Sequence, residues 1–296
     1  MARRIALVGI GKIARDQHIP VINANPDWEL AATVSRNASV DGIESFTSMD
    51  QLLEARPDID TVSLAVPTGP RFDYAVKALQ AGRHVMLEKP PGVTLSECVT
   101  LEKLARQQGV ALFASWHSRE ARGVSQAKAW LDEHALTRLH ITWKEDVRIW
   151  HPSQEWVWEP GGLGVFDPGI NALSIMTEIL PAPVHLMNAT LEIPSNRQTP
   201  IAAALRFVHP GGAEVLADFD WRTEGEPVWE ISMESDTGEL KLSFASGSLD
   251  EEYRSLYRRM TELRNARAID MDLAPLMHVA DAFMSGRRES VAPFEF

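Results

Sequence analysis

The sequence predicts a two-part α/β protein: first a doubly wound parallel sheet, then an α+β domain with a large, mostly antiparallel open sheet. Three observations predict it. Short apolar runs alternate with helical patterns through residue 117, a glycine-rich loop follows the first of those runs, and beyond residue 138 β-like runs succeed one another with few helices between them. The length, 296 residues, suits two domains, and we divide it into residues 1–117 and 118–296. Charge divides at the same place. Residues 1–117 carry 12 basic and 13 acidic side chains, a net of −1, and residues 118–296 carry 17 and 28, a net of −11, which together make the −12 of the whole. Tryptophan shifts too, since only Trp28 precedes Trp116.

Composition excludes several classes. Hydrophobic residues at 45% can fill a core. Net acidity argues against nucleic acid or an anionic membrane as partner, and no apolar run has the length of a membrane span. A single Cys98 excludes a disulfide framework and a multi-cysteine metal site, and points to the reducing cytoplasm. The opening Met-Ala-Arg-Arg with Ile5–Ile10 is too short an apolar run for a signal peptide, and Lys12 interrupts it. We read it as the first strand.

In the first segment the strand candidates are Ile5–Val8, Leu30–Val34, Val62–Val66, His84–Leu87 and Ala111–Ala114, with helices near 13–24, 48–56, 70–82 and 94–108. Thr94-Leu-Ser-Glu97 is a capping box, and Cys98 falls on the apolar side of the helix it opens, as a core thiol. In the second segment a helix near 120–133 precedes β runs at 139–147, 184–193, 201–208, 213–221 and 228–243, the last broken by the turn signal Asp236-Thr-Gly238. Residues 165–180 read as a helix, and helices near 251–266 and 274–287 close the chain.

Gly9-Ile-Gly11-Lys-Ile-Ala14 follows the first strand and opens the first helix, the G-x-G-x-x-A of a Rossmann dinucleotide site. Gly9 permits the tight turn, Gly11 lets backbone approach a pyrophosphate, Ala14 lets helix pack on strand, and the helix N-terminus faces the phosphates. NAD enzymes place a carboxylate after the second strand to hold the ribose 2′-hydroxyl. Here the strand ends Val34-Ser35-Arg36-Asn37, with no carboxylate until Asp41. Ser35 and Arg36 suit a 2′-phosphate instead, so NADP is the expected cofactor, with NAD as the weaker alternative. Cofactor contacts are expected from Gly9, Gly11, Lys12, Ile13, Ser35, Arg36, Pro67, Glu88 and Lys89.

Glu88-Lys89-Pro90-Pro91 follows the strand candidate His84–Leu87, at the sheet edge where ligands bind, and Lys89 can reach a substrate hydroxyl there. Taken alone, it is a surface lysine before a turn. Gly161-Gly-Leu-Gly-Val-Phe-Asp167-Pro-Gly-Ile-Asn171 is the second cluster. Pro168 suits the first helical position, which makes Asp167 an N-cap, and Asn171, four residues on, shares its face.

Glycine loop, Glu-Lys-Pro and Gly-Gly…Asp-x-Gly together resemble the Gfo/Idh/MocA oxidoreductases over nearly the whole chain. Within that family, His18, Glu88–Pro91, Trp116-His117-Ser118, Trp143–Asp146, Arg148, Trp150-His151-Pro152 and Trp158–Asn171 resemble the bacterial sugar 1-dehydrogenases acting on L-arabinose and D-galactose. The resemblance implies NADP-linked oxidation of an aldose at C1 to its lactone. Many family members carry His where this chain has Asn171, which takes no proton near neutrality. Asp167 is then the first choice to accept the C1 hydroxyl proton, with Lys89 bonded to the same oxygen and Asn171 positioning it; which of Lys89 and Asp167 takes the proton is left open.

A pyranose needs aromatic walls and fixed polar groups. Trp143, Trp150, Trp156 and Trp158 are interleaved with Glu145, Arg148 and His151, and one or two of the four are expected to face the sugar, Trp150 among them. The resemblance implies His117, Glu145 and His151 as substrate ligands, with Asp167 and Asn171. Strand parity lets only one of Glu145 and Asp146 point inward, and the resemblance favours Glu145. His117 and His151 lack metal-ligand spacing, and no metal is expected. L-Arabinose and D-galactose differ by one hydroxymethyl group, so activity on both, and on D-fucose, is expected. The resemblance to the sugar 1-dehydrogenases implies a further hairpin after a strand like Glu239–Ser243, where this chain has only residues 244–250 before the next helix. A homodimer through the open sheet is expected. The competing readings are a polyol or cyclitol dehydrogenase of the same family, and a non-catalytic relative that senses sugar or NADP for a regulatory partner.

Overall fold

The computed structural model describes residues 2–245 and 249–296, and the connection 244–250 therefore lies partly outside the described residues. In chain order, β1 (Arg3–Val8) leads through a π-helical turn, Ala14–His18, into α1 (Ile19–Ala24) and β2 (Trp28–Val34). Then follow β3 (Glu44–Phe46), α2 (Met49–Ala55), β4 (Thr61–Leu64), α3 (Thr68–Gln80), β5 (His84–Glu88), α4 (Leu95–Gln108) and β6 (Leu112–Ser115). After a short turn the chain runs through α5 (Val124–Glu133), β7 (Leu136–Lys144), α6 (Val147–Trp150), α7 (Phe166–Ile179), β8 (His185–Pro194), β9 (Ala202–Val208), β10 (Glu214–Asp220), β11 (Val228–Ser235) and β12 (Glu239–Ser243). It ends with α8 (Leu249–Ala266), β13 (Ile269–Asp270), α9 (Ala274–Ser285) and β14 (Arg287–Val291).

Two compact units result, one of residues 1–120 with 248–273, the other of residues 121–247 with 274–296. A single cut after residue 117 places 248–273 with the second segment, whereas in the structure this stretch packs with the first unit. The reason is the apolar stripe of α8. Tyr253, Leu256, Tyr257, Met260 and Leu263 recur at helical spacing and are buried in one cluster with Ile5, Leu7, Trp28, Met86 and Phe113. Each such side chain contributes about 1.5–3 kcal/mol on burial.

The first unit's sheet has the order β13-β6-β5-β4-β1-β2-β3, parallel throughout. Strand order reverses between β1 and β4, so the crevice at their carboxyl ends is the switch point where a doubly wound sheet takes its ligand. The capping box of α4 is present, with Glu97 N on Thr94 Oγ1 and Glu97 Oε2 receiving Thr94 N. Cys98 is buried, and burial pushes its thiol up to about 12.

The second unit's sheet has the order β12-β11-β7-β10-β9-β8-β14. Four of its pairings are antiparallel, and β7–β10 and β8–β14 are parallel. Period-2 alternation gives it one apolar face. Leu139, Ile141 and Trp143 of β7 and Val215, Ala217 and Phe219 of β10 are buried. α7 lies on that face, with the Phe166 ring edge-on to Phe219 at 5.7 Å, and a Cβ on Gly169 would come within 3.2 Å of the same ring. The opposite face is half-exposed and carries ion pairs such as His140–Asp218 at 2.7 Å.

The start of α7 differs from the sequence expectation. The helix begins at Phe166 with Val165 as its cap residue, so Asp167 is not the N-cap and Pro168 is not the first helical residue. Gly164, at φ +55°, turns the chain a residue early, and Val165 N is satisfied by the carbonyl of Pro200 at 2.8 Å. Pro168, still in the first turn, loses no intrahelical bond there. The Asp167 carboxylate is left available for other partners.

Candidate active site

In the first unit the glycine loop has the shape a dinucleotide needs. Gly9 adopts φ +89°, and a Cβ there would lie 2.7 Å from Val66 N, so only glycine fits. Nothing lies within 4 Å of a Cβ built on Gly11, which leaves its backbone open to a ligand. Gly9 N donates to Val34 O at 2.8 Å, fixing the loop to the end of β2. Ala14 is fully buried and Ile13 partly so. The Lys12 ammonium is paired with Asp16, one turn on, so its charge is shared. Ser35 and Arg36 line an open depression of about 280 Å³ with Asn37, Ala38, Ser39, Ser45, Phe46 and Thr47, and Arg36 is exposed there. With the glycine loop, these residues fit a dinucleotide. Pro67 is exposed just before α3.

Glu88 ends β5 and is buried, not open to a ligand. Its Oε1 receives Tyr253 Oη at 2.8 Å and contacts His18 Nε2 at 2.9 Å, and its Oε2 receives the amide of Lys89 at 3.1 Å. His18 Nδ1 is 2.7 Å from Tyr257 Oη. Burial alone would raise the Glu88 carboxyl, but its bonds to His18 and Tyr253 and the nearby His117 outweigh this and hold it at about 2. Lys89 is half-buried. His117 stacks on Tyr253 at 5.6 Å, and its Nδ1 lies 2.6 Å from Glu252 Oε2, an arrangement that directs Nε2 away from the carboxylate.

In the second unit Glu145 follows β7 and is 2% exposed. Trp221 Nε1 donates to one of its oxygens at 3.2 Å and Trp229 Nε1 to the other at 2.8 Å. Register explains this convergence: Trp229 stands opposite Trp143, and the Val147 amide bonds Trp221 O at 3.1 Å. Asp146 is also buried, but caps α6 through Arg148 N at 2.9 Å and binds the Arg148 guanidinium. Parity therefore does not expose one acid and bury the other; the two buried carboxylates face different partners.

Asp167 Oδ2 and His151 Nε2 lie 3.3 Å apart, both largely buried. The His151 ring is 5.3 Å from that of Trp221. Asn171, half-buried, follows Asp167 by one turn of α7. The four tryptophans divide. Trp150 is 43% exposed and tilted against Trp229, and Trp156 donates to Gln154. Trp143 and Trp158 are buried, and their indole N–H groups have no hydrogen-bond partner among the described residues. Among the described residues no cluster of three or more His, Cys, Asp or Glu is arranged to hold a metal ion. Sequence reasoning did not single out Arg71, Trp221, Trp229, Glu252, Tyr253 or Tyr257. Sheet register brings Trp221 and Trp229 to Glu145, the return of α8 brings Glu252, Tyr253 and Tyr257, and Arg71 comes from the first turn of α3.

Residues 3–115 match the model of the oxidoreductase family with an NAD-binding Rossmann fold. Galactose 1-dehydrogenase of Pseudomonas fluorescens is 40% identical over 302 residues, spanning 98% of each chain. The chain belongs to the Gfo/Idh/MocA oxidoreductase family. The crystal structure of D-galactose-1-dehydrogenase from Rhizobium etli superposes with a TM-score of 0.95 at 51% identity, covering 100% of this chain and 99% of that one. A 3-ketoreductase from Actinomadura kijaniata, solved with NADP, reaches a TM-score of 0.85 at 18% identity over both full chains, which shows the shared fold. The Gfo/Idh/MocA pairing of a parallel Rossmann sheet with a second, mostly antiparallel one is the architecture expected from the sequence. No helix among the described residues is long and apolar enough to cross a membrane.

Proposed function

We propose that the chain is an NADP-preferring aldose 1-dehydrogenase that oxidises the C1 hydroxyl of L-arabinose, D-galactose and D-fucose to the lactone. The observation that carries this reading is the buried Asp167–His151 pair, a carboxylate held beside an imidazole nitrogen at 3.3 Å. The near full-length likeness to two galactose 1-dehydrogenases supplies the substrate class.

A bound nicotinamide supplies the hydride acceptor. Asp167 takes the proton from the C1 oxygen, and His151, whose Nε2 lies 3.3 Å from Asp167 Oδ2, orients that carboxylate. Lys89 donates to the C1 oxygen, favouring the negative charge that develops there. Asn171 orients the same group. Glu145 accepts ring hydroxyls, its carboxylate held in place by the indoles of Trp221 and Trp229. Trp150 and His151 supply apolar and polar contacts to the ring, and His117 offers Nε2 to a hydroxyl. Gly9, Gly11, Lys12, Ile13 and Pro67 bind the dinucleotide through backbone and short contacts, while Ser35 and Arg36 hold the 2′-phosphate. The role of Glu88 is to support Lys89 through its amide. A single buried thiol suits the reducing cytoplasm, where we place the protein. The half-exposed second sheet, rich in ion pairs, suits a homodimer.

A spectrophotometric screen of a sugar panel against NAD and NADP tests the assignment. NADPH formation with L-arabinose, D-galactose and D-fucose is expected. Turnover of glucose-configured sugars alone overturns the substrate class. Cofactor binding without turnover of any sugar favours the sensor reading. Arg36→Ala should lower the NADP/NAD preference by about tenfold or more, the loss of a charge-assisted phosphate contact, and an unchanged ratio removes Arg36 from the 2′-phosphate site.

A further inference from the structure

Arg71 lies in the first turn of α3 and is 4% exposed. Its guanidinium is spent on main-chain carbonyls. Nε and Nη2 donate to Val66 O at 3.2 and 2.6 Å, and Nη1 donates to Glu88 O at 2.5 Å and to Pro90 O. These acceptors are not scattered. Val66 is the residue whose amide bars a side chain from Gly9, so it forms the wall of the glycine loop. Glu88 and Pro90 stand on either side of Lys89. Burying a charged fork is costly unless its donors are matched, and here they are matched to the ends of two neighbouring strands, β4 and β5.

We propose that Arg71 is a positioning residue that fixes the backbone carrying Lys89 and the wall of the cofactor loop at one spacing. The proposal rests on the reading of Lys89 and the glycine loop given above. The far end of the same segment is fastened separately. Val93 N and Thr94 N bond Glu97 Oε2, and Gly92 is so close to Cys98 that a Cβ would lie 2.9 Å from its sulfur. Arg71 thus holds the middle of a stretch whose end is already anchored. A lysine cannot replace it, because a single ammonium cannot span carbonyls that a planar fork reaches together. Displacing a reacting group by about 1 Å can cost about 100-fold in rate, which is why this backbone clamp matters to chemistry and not only to folding.

Arg71→Ala and Arg71→Lys in the full chain test this. With D-galactose and NADP, kcat should fall about 10- to 100-fold in both while the sugar KM stays within about threefold. Added guanidinium ion should restore part of kcat to the Ala variant and none to the Lys variant, in which the side chain still fills the site. In the absence of cofactor and sugar, amide exchange over residues 64–68 and 88–92 should speed up in both variants. Unchanged kcat in both variants overturns the proposal. So does a loss of kcat that follows the folded fraction, without local exchange change and without guanidinium rescue. If Ala fails to fold, the Lys variant carries the same expectations. If wild type turns over no sugar, the dehydrogenase reading has failed on its own, and unchanged exchange at 88–92 in a folded variant then overturns the role of Arg71 separately.

Discussion

Two buried carboxylates follow strands in the two units, and they are held by different chemistry. Glu88, at the end of β5, is bound by His18, Tyr253 and a backbone amide. Glu145, just after β7, is bound by the indoles of Trp221 and Trp229. Histidine and tyrosine can each donate or accept, so the partners of Glu88 can rearrange around a changed group. An indole N–H only donates, so the partners of Glu145 demand an acceptor on both oxygens. The first set of partners favours the carboxylate but can re-pair around an amide, whereas the second offers donors only. Both are buried, so the partners and not the depth distinguish them; on the function proposed above, Glu88 braces the fold and Glu145 accepts a ligand.

The comparison can be broken in three places. The largest effect belongs to Asp167, another buried carboxylate, proposed above for proton transfer. Asp167→Ala should lower kcat by about 10²–10⁴-fold, measured by NADPH formation at saturating sugar. Near wild-type turnover would leave Asp167 as a structural partner of His151. Next is Glu145→Gln. Its amide nitrogen must face an indole N–H, leaving a buried donor unmatched, so unfolding free energy should drop by about 1–3 kcal/mol and the sugar KM should rise about tenfold or more. A variant with wild-type Tm and KM would show that the two indoles do not require a carboxylate.

The smallest effect on sugar turnover at neutral pH is expected of Glu88→Gln, which should leave the sugar KM unchanged, because His18 can change tautomer and Tyr253 can turn its hydroxyl to accept. Its signature lies in acid. The Glu88 carboxyl is lowered from an ordinary 4.5 to about 2 in the folded chain. Its contribution is therefore complete above the unfolded value and is lost as pH falls from about 4.5 to about 2. Denaturant unfolding across that range should fall less steeply in Glu88→Gln than in wild type. Parallel curves would mean that the low value of Glu88 does not support the fold.

Much of the fold is legible in the sequence because it rests on periodicity. The alternation of β1 to β6 with α2, α3 and α4 follows apolar spacing, and the capping box at Thr94 is a local signal. The partner of α8 is not legible, since an apolar stripe announces that a helix is buried but not in which core. The short strands β3 and β13 carry too few residues to show a period, and β14, Arg-Arg-Glu-Ser-Val, has too few apolar residues to mark one. The start of α7 follows a tertiary bond from Pro200, which no local pattern around Asp167 contains. In the candidate site, Lys89, Asp167, Glu145 and His151 are visible as chemistry-bearing types in unusual clusters. Their supports are not. Trp221 and Trp229 read as ordinary strand residues until register places both N–H groups on Glu145, and Arg71 reads as a surface charge on a helix until its fork reaches three carbonyls.

The return of residues 248–273 to the first unit has a consequence for biosynthesis. A ribosome that has released residues 1–120 has made the glycine loop, β5 and Lys89, yet the apolar surface of Trp28, Met86 and Phe113 and the carboxylate of Glu88 still await Tyr253 and its neighbours. That surface stays uncovered until the whole intervening unit has been translated. A fragment ending at residue 120 should therefore be sticky and poorly folded, whereas one that splices α8 back on through a short linker should recover a compact nucleotide-binding unit.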